Sequence, residues 1–279
     1  MKADGSNGSR KLDWAERWVR DGLELSKPPA FFESLQVDMT EACALIERAR
    51  EQGVRLTYAA ILVRAAALSL AANPDLHVVV CGSRMYSPQR VDVAVSIASD
   101  GFLSPVMVLE SANTKTLPAL AAELADRVDE VRAADAKLMS GLRRWGWVLP
   151  FAILRKAVLR LMHRSLEFQR KGAGTFQVSI VPGVDQFVTP VFGGSAVLTA
   201  GRVTERVVAV RGAPVVRTTV YMACSADHRV WNGSAADRFL RSVRDLLEGP
   251  EFAKEALDSI RTGAQAATFA EQTQKLTAG

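Results

Sequence analysis

The stretch "PVVRTTVYMACSADHRVWNGSAADRFLRSVRDLLEGPE", Pro214–Glu251, joins an apolar run to a helical pattern through a charged turn. Its first half is rich in β-branched and other apolar residues, which is typical of a buried strand. The triplet Asp227, His228 and Arg229 interrupts that run, and Asn232 introduces a turn signal before the next helix. The stretch therefore predicts a strand, a turn carrying a histidine, and a helix.

Helical and strand-like patterns alternate along the rest of the chain. Helices are predicted in "LDWAERWVRDGLELSK", "DMTEACALIERARE", "TYAAILVRAAALSLAANPDL" and "TLPALAAELADRVDEVRAADAKL". Strands are predicted in "FFESLQVDM", "HVVVCG", "RVDVAVSIAS", "LSPVMVL", "GTFQVSIV", "SAVLTAGRV" and "ERVVAVRG". Because strands dominate the second half and helices the first, the order predicts a mixed α/β domain with a large sheet.

The composition excludes several classes of protein. The 279 residues are 48% hydrophobic, which is enough for one large domain or two small ones. The net charge of +5 is modest, and aromatic residues are not interleaved with basic ones, so we predict no nucleic-acid partner. Cys43, Cys81 and Cys224 are odd in number and lie in apolar segments, which predicts buried thiols and neither a disulfide framework nor a metal site.

The ends of the chain predict a cytoplasmic protein with short tails. The first residues carry charges, Gly and Ser where a signal peptide has an apolar core, and no apolar run is long enough to span a membrane. We expect a flexible N-terminal tail over 1–12, a single domain over 13–265 and a C-terminal tail over 266–279.

The segments, taken in order, resemble the catalytic domain of the dihydrolipoamide acyltransferases, the core subunits of 2-oxo-acid dehydrogenase complexes. The resemblance includes "LTYAAILVRAAALSLAANPDLHVVVCG" and "VDVAVSIASDGFLSPVMVLESANTKTLPALAAEL" as well as the C-terminal strands and the charged turn. It covers nearly the whole chain apart from its ends and one internal insertion. It implies the fold of chloramphenicol acetyltransferase: a two-layer α/β sandwich with helices packed on a mixed β-sheet, here forming the catalytic domain 13–265.

The resemblance also implies an acyltransferase site built from His228, Ser179 and Asn232. Acyl transfer needs a base that deprotonates the acceptor, and the pKa of histidine suits this task near neutral pH. The position of Ser179 is that of the family's oxyanion donor, and a hydroxyl donor there stabilises the tetrahedral intermediate. The family usually has Asp where Asn232 lies, and Asn in some members, so Asn232 is expected to position neighbouring groups without a salt bridge.

Other polar residues near these positions are expected to be structural. Asp227 and Arg229 flank the histidine and are expected to shape the turn. If the carboxylate that relatives carry at position 232 tunes the histidine by its charge, His228 is a weaker base here; if it only forms hydrogen bonds, Asn232 can replace it. His77 and His163 are expected to be structural histidines.

The resemblance implies partners and leaves two functional classes open. The substrate is expected to be coenzyme A or acyl-CoA, or an acyl group on a separate carrier, with no lipoyl group attached covalently to this chain. A homotrimer, or a higher assembly of trimers, is implied, with His228 of one subunit meeting Ser179 of the next. The alternative is a catalytically silent homologue that serves as a scaffold or partner-binding subunit.

The segment 141–171 is the internal insertion, where relatives have a short connection. Its periodicity predicts a basic amphipathic helix after Pro150 with Trp145 and Trp147 just before it. The predicted apolar stripe comprises Phe151, Leu154, Val158, Leu161, Met162 and Phe168. The predicted basic face comprises Lys156, Arg160, His163, Arg164, Arg170 and Lys171, with Arg155 at the edge of the stripe. Such a helix packs on its own domain, or contacts an anionic membrane, a partner or a long acyl chain.

Overall fold

The computed structural model describes residues 11–25, 28–99 and 104–262. The predicted tails lie outside these ranges except for Lys11 and Leu12. The helices are α1 (Trp14–Leu25), α2 (Thr40–Glu51), α3 (Tyr58–Ala72), α4 (Leu117–Asp126), α5 (Val128–Trp145), α6 (Ala152–Met162), α7 (Leu166–Ala173) and α8 (Gly233–Glu248). The strands are β1 (Ala30–Asp38), β2 (Val79–Cys81), β3 (Arg84–Tyr86), β4 (Val93–Ser96), β5 (Val106–Leu109), β6 (Phe176–Ile180), β7 (Ala196–Ala200), β8 (Thr204–Val210) and β9 (Ala213–Asp227).

Seven of the strands form one mixed sheet in the order β1-β9-β7-β6-β4-β5, with β8 paired to β9 outside this path. The strands β4, β6 and β7 run parallel to one another, and the remaining pairs in the sheet are antiparallel. The strands β2 and β3 form a separate hairpin. The prediction of a mixed sheet with helices packed on it is confirmed.

Alternation along the strands separates the two faces of the sheet. On one face the strand residues Phe176 and Val178 of β6 and Met222 and Cys224 of β9 join the hydrophobic core together with side chains of α3 and α8. On the other face, Thr199 is buried and its hydroxyl donates to the carbonyl oxygen of Phe187, in the chain segment that precedes β7. The helices therefore cover one face, and Ser179, adjacent to Val178, points away from them.

Two predicted elements differ in detail. The pattern "TLPALAAELADRVDEVRAADAKL" predicts one helix, whereas the structure has α4 and α5, separated at Arg127. The Arg127 side chain bonds the Glu123 carboxylate at 2.7 Å and donates to the carbonyl oxygen of Val108 at 3.2 Å, which fixes the break against β5. The strand β3 is only three residues long and was not predicted.

The segment 141–171 contains the end of α5, a 3-10 turn over Gly146–Val148, α6 and most of α7. The two helices are separate, so Phe168 does not continue the stripe of α6. The predicted stripe faces outward along α6, where Leu154 is 47% exposed and Leu161 is 70% exposed. The hypothesis that this helix packs on its own domain is therefore right about the contact, since α6 packs on α1, but wrong about the face, because the contact is made by the side that carries Arg155 and not by the stripe.

A buried ion pair attaches α6 to α1. Arg155, placed at the edge of the stripe by the sequence, is buried and donates to the Asp21 carboxylate at 2.7 Å. The same guanidinium donates to the carbonyl oxygens of Leu149 and Pro150 at 2.9 and 2.8 Å. Charge pairing, and not apolar burial, therefore determines which face of α6 turns inward.

None of the helices in the described ranges is long and apolar enough to cross a membrane. The same ranges contain no cluster of His, Cys, Asp or Glu side chains suited to a metal ion.

Candidate active site

The charged turn is held by Asp227. Its carbonyl oxygen accepts from the amides of Val230 and Trp231 at 3.0 and 2.9 Å, which closes the turn. Its buried carboxylate accepts from the amide of Arg229 and binds the Arg229 guanidinium through both oxygens, with the shortest contact at 2.6 Å. This hydrogen bond raises the pKa of Arg229. Asp227 and Arg229 thus shape the turn, as the sequence analysis expected.

His228 lies at the tip of this turn, just past the end of β9. Its amide donates to the carbonyl oxygen of Pro29 at 2.7 Å. Its ring packs against the ring of Phe31 in β1, with centroids 4.8 Å apart. The side chain is exposed, and within the described ranges neither ring nitrogen has a hydrogen-bond partner. The imidazole is therefore held in place by Phe31 while both nitrogens stay available.

Phe31 and Pro29 are the residues that sequence reasoning missed. They are brought to His228 by the antiparallel pairing of Ala30 with Asp227 and of Phe31 with Ala226. The chain separates them from the histidine by almost 200 residues, so no local pattern identifies them. The only signal is the strand-like run "FFESLQVDM", whose partner strand and register the sequence does not specify.

Asn232 is the N-cap of α8. Its side-chain oxygen accepts from the amide of Ala235 at 3.0 Å, which satisfies one of the free amides at the start of a helix. The preceding residue, Trp231, is buried, and its indole donates to the carbonyl oxygen of Leu76 at 3.0 Å. The helix start is thereby fixed directly after the charged turn, and the Asn232 amide serves this helix in the structure.

Ser179 lies in β6, half-buried on the face opposite the helices, and its hydroxyl has no hydrogen-bond partner in the described part of the chain. The register pairs Ser179 with Thr199 of β7, and Thr199 with Ala223 of β9. His228 lies five residues beyond Ala223. Two strand spacings and five residue steps put the two Cα atoms on the order of 20 Å apart. The fold therefore does not bring Ser179 and His228 together within one chain.

A buried polar cluster fixes the start of β6. The Thr175 amide donates to the carbonyl oxygen of Asp92 at 2.7 Å, and the Thr175 hydroxyl lies 2.7 Å from Nε2 of His77. Burial lowers the pKa of His77, so the neutral imidazole is favoured. Burial raises the pKa of Asp92, but bonds from the Ser111 amide and from Arg170 and a neighbouring arginine outweigh it, and the net shift is downward. His77 is structural, as expected.

The two buried cysteines are also structural. Cys81 and Cys224 are free thiols, and burial raises the pKa of each. A thiol with a raised pKa is a poor nucleophile because the thiolate is the reactive form. These two residues therefore fill space in the core as predicted, whereas Cys43, also predicted to be buried, is half-buried with its sulfur 3.2 Å from the Tyr58 hydroxyl oxygen.

The family model of the 2-oxoacid dehydrogenases acyltransferase catalytic domain matches residues 16–140 and 153–254. The unmatched residues 141–152 are a shorter stretch than the insertion predicted from the sequence. Among curated proteins, the dihydrolipoyllysine-residue succinyltransferase components of the 2-oxoglutarate dehydrogenase complexes of Staphylococcus epidermidis and Staphylococcus aureus are each 25% identical over 240 residues. The match covers 82% of this chain and 50% of each relative, so the chain spans about half their length.

Two solved structures show the same fold. A probable dihydrolipoamide acetyltransferase from Listeria monocytogenes aligns with a TM-score of 0.66 at 20% identity, covering 88% of this chain and 97% of that one. Azotobacter vinelandii dihydrolipoamide acetyltransferase aligns with a TM-score of 0.67 at 21% identity, covering 89% of this chain and 96% of that one. The latter structure comes from an investigation of the role of one serine, one histidine and one asparagine in the catalytic mechanism of that enzyme.

Proposed function

Because the chain belongs to the family of 2-oxoacid dehydrogenase acyltransferase catalytic domains, we propose that it transfers an acyl group between coenzyme A, or a carrier thioester, and an acceptor. The observation that carries this proposal is the placement of His228. Its imidazole is exposed at the tip of a turn that is itself fixed by the pair of Asp227 and Arg229. A general base needs such an arrangement, with a rigid backbone and a free ring.

His228 removes the proton from the acceptor as it attacks the thioester carbonyl. The ring of Phe31 limits the orientations of the imidazole, and the bond from its backbone amide to Pro29 fixes its Cα. Since the side chain stays solvent-accessible on the other side, an acceptor thiol, hydroxyl or amine can reach a ring nitrogen. After the tetrahedral intermediate collapses, the same imidazolium returns the proton to the leaving group.

Ser179 donates a hydrogen bond to the oxyanion of the tetrahedral intermediate. Its hydroxyl is not used by another residue of the described chain, and it lies on the sheet face that the helices leave uncovered. A single donor of this kind lowers the barrier by about 3 kcal/mol. The role requires a histidine within a few ångströms, which the same chain does not supply.

We therefore place the site between two subunits, where His228 of one meets Ser179 of its neighbour. The separation on the order of 20 Å within one chain supports this arrangement. The exposed side chain of Phe32 on β1 lies on the same sheet face as Ser179 and offers a contact for a neighbouring subunit. A homotrimer satisfies the geometry with three equivalent, head-to-tail interfaces. One structure aligned at 22% identity is the cubic core of a pyruvate dehydrogenase multienzyme complex.

Asn232 positions the turn and does not exchange protons. Its amide caps α8 and thereby holds the helix start, and with it the segment that carries His228. In the Azotobacter vinelandii enzyme the asparagine also follows the histidine by four positions, and its role in the mechanism was examined there. An amide is a sufficient N-cap, so the absence of a carboxylate at this position does not argue against activity.

An acyl-transfer assay with acetyl-CoA or succinyl-CoA and dihydrolipoamide tests the proposal. The wild-type chain is expected to release free coenzyme A in a reaction that His228→Ala slows by about 10²–10⁴-fold. Arg48→Gln, a change at an exposed residue of α2, serves as the control and is expected to leave the rate unchanged. No turnover with any acyl-CoA would favour the alternative of a silent homologue that serves as a scaffold, and turnover that survives His228→Ala would exclude His228 as the base.

A further inference from the structure

A cavity of about 540 Å³ lies beside the charged turn. Its walls come from the turn between β2 and β3, from the end of α6 and the residues after it, and from the charged turn itself. The polar and glycine residues that matter for its chemistry are Gly82, Arg160, His163, Arg164, Gln169 and Arg229. His228 does not line this cavity, although both of its neighbours in the chain do.

The cavity carries two uncompensated positive charges. Asp227 is the one carboxylate among its lining residues, and it is already neutralised by Arg229. Arg160 and Arg164 form no ion pair within the described part of the chain. Arg160 lies in the last turn of α6 and Arg164 lies two residues beyond the end of that helix, and both line the cavity. The described residues that line the cavity therefore provide no negative charge to compensate these two arginines.

Most other basic residues of the segment 141–171 are paired with carboxylates. Arg155 bonds Asp21 and Lys156 bonds Glu24 on α1, while Arg170 bonds the buried Asp92. The chain thus supplies carboxylates to the basic side chains that attach this segment to the domain. Arg160 and Arg164 have no such partner in the described part of the chain; neither has Arg144, but its guanidinium lies over the Trp145 ring and not in the cavity.

The walls around the two arginines are fixed. A Cβ on Gly82 would lie only 3.1 Å from Cγ of Arg164, so the absence of a side chain at Gly82 makes room for the Arg164 stem. The buried side chain of Gln169 donates to the carbonyl oxygens of Val80 at 3.2 Å and His163 at 2.7 Å, and so joins β2 to the residues after α6. These contacts fix the wall of the cavity beside Arg164, while the guanidinium groups of Arg160 and Arg164 are exposed and free to turn towards an anion.

We propose that this cavity binds a phosphate group through the guanidinium groups of Arg160 and Arg164. Guanidinium forks match the oxygens of phosphate, and two unpaired charges match a phosphate dianion, whereas a carboxylate would compensate only one. The phosphate belongs either to a coenzyme A molecule whose thioester reaches His228 or to a separate phosphorylated molecule. This inference goes beyond acyl transfer and does not depend on it.

Isothermal titration with pyrophosphate, at low salt, tests the cavity directly. Wild-type protein is expected to bind, and Arg160→Gln and Arg164→Gln each to weaken the affinity by about tenfold or more, since each removes a charge-assisted bond. Arg160→Lys keeps the positive charge but lacks the two parallel donors of a guanidinium, and its affinity is expected to lie between those of the wild type and Arg160→Gln. Arg48→Gln is the matched control, an exposed arginine away from the cavity, and is expected to bind like the wild type.

Competition identifies the source of the phosphate. If it belongs to coenzyme A, pyrophosphate and coenzyme A exclude each other, and both arginine variants weaken coenzyme A binding. If it belongs to another molecule, the two ligands bind together. Either result supports a phosphate site in the cavity. The acyl-transfer rate of His228→Ala tests the proposed function and not this site.

Three results overturn the inference. In the first, the wild type does not bind pyrophosphate. In the second, the wild type and the Arg160 and Arg164 variants bind it with equal affinity. In the third, Arg48→Gln loses as much affinity as the cavity variants. Sedimentation of the same variants adds a fourth: if the assembly dissociates while phosphate never binds, the arginines hold an acidic group of a neighbouring subunit instead.

Discussion

Replacing Arg155 with Leu tests whether a buried charge pair determines how α6 is attached. The Arg155 and Asp21 side chains are 3% and 0% exposed, and their closest atoms are 2.7 Å apart. The substitution leaves a buried carboxylate without its main partner and also removes the donor to the carbonyl oxygens of Leu149 and Pro150. Breaking one half of such a pair typically costs about 3–5 kcal/mol.

The lower end of that range applies here. Arg20 remains 3.2 Å from the Asp21 carboxylate, but its side chain is 45% exposed and its charge is screened by solvent. We therefore expect the free energy of unfolding to fall by about 3 kcal/mol, which corresponds to a Tm lower by about 6–12 °C for a domain of this size.

Denaturant unfolding followed by circular dichroism measures the effect. The double variant Asp21→Leu with Arg155→Leu removes both charges and is expected to recover part of the loss, since an apolar pair can replace an ionic one. Arg143→Leu is the control because its pair with Asp13, which joins α5 to the residue before α1, is exposed, and it is expected to cost at most about 1 kcal/mol. If Arg155→Leu is no less stable than Arg143→Leu, the reasoning is wrong.

His228→Ala is expected to lower the transfer rate by about 10²–10⁴-fold with no change in the circular dichroism spectrum, and a rate within a factor of two of the wild type would exclude it as the base. Ser179→Ala is expected to lower kcat with little change in KM, because the oxyanion forms only on the way to product; an unchanged kcat with a raised KM would make it a substrate contact. Asn232→Ala is expected to destabilise the protein by about 1 kcal/mol through loss of the N-cap, while Asn232→Asp keeps the stability and the activity; equal thermal unfolding of the three proteins would contradict the capping role. In the folded protein the pKa of His77 lies below its ordinary value of 6.5, so protonation favours the unfolded chain. The contribution of neutral His77 to the free energy of unfolding is complete above pH 6.5 and is lost as pH falls through the folded pKa. His77→Gln is therefore expected to lose less stability than the wild type between about pH 7 and pH 5, and parallel curves would refute this.

The sequence predicted the sheet because its strands are short apolar runs bounded by Gly, Ser and Asp, which is a local signal. It did not predict the break between α4 and α5, because Arg127 is a good helix former and the break depends on its contact with Val108 in β5. The sequence also predicted an apolar stripe on α6, but it did not predict whether that stripe faces the domain or the solvent. Periodicity defines two faces of a helix, and the burial of Arg155 depends on Asp21, far away in the chain.

The candidate site shows the same limit. The choice of His228 and Ser179 rests on the resemblance, because the motif residues are local in sequence, and it stays a prediction. The support of His228 by Phe31 depends on the register of β1 against β9, which only the folded chain specifies. The distance between His228 and Ser179 likewise depends on the order of β6, β7 and β9 in the sheet, and no pattern in a single strand contains it.

The most direct test of the proposed shared site is complementation between two inactive variants. His228→Ala protein and Ser179→Ala protein are mixed in equal amounts, dissociated, reassembled and assayed for acyl transfer. If each site takes its histidine from one subunit and its serine from the next, about a quarter of the sites regain both residues by random assembly, and activity reappears in that proportion. If the mixture stays as inactive as its two components while the reassembled wild type recovers full activity, His228 and Ser179 do not form a site between subunits.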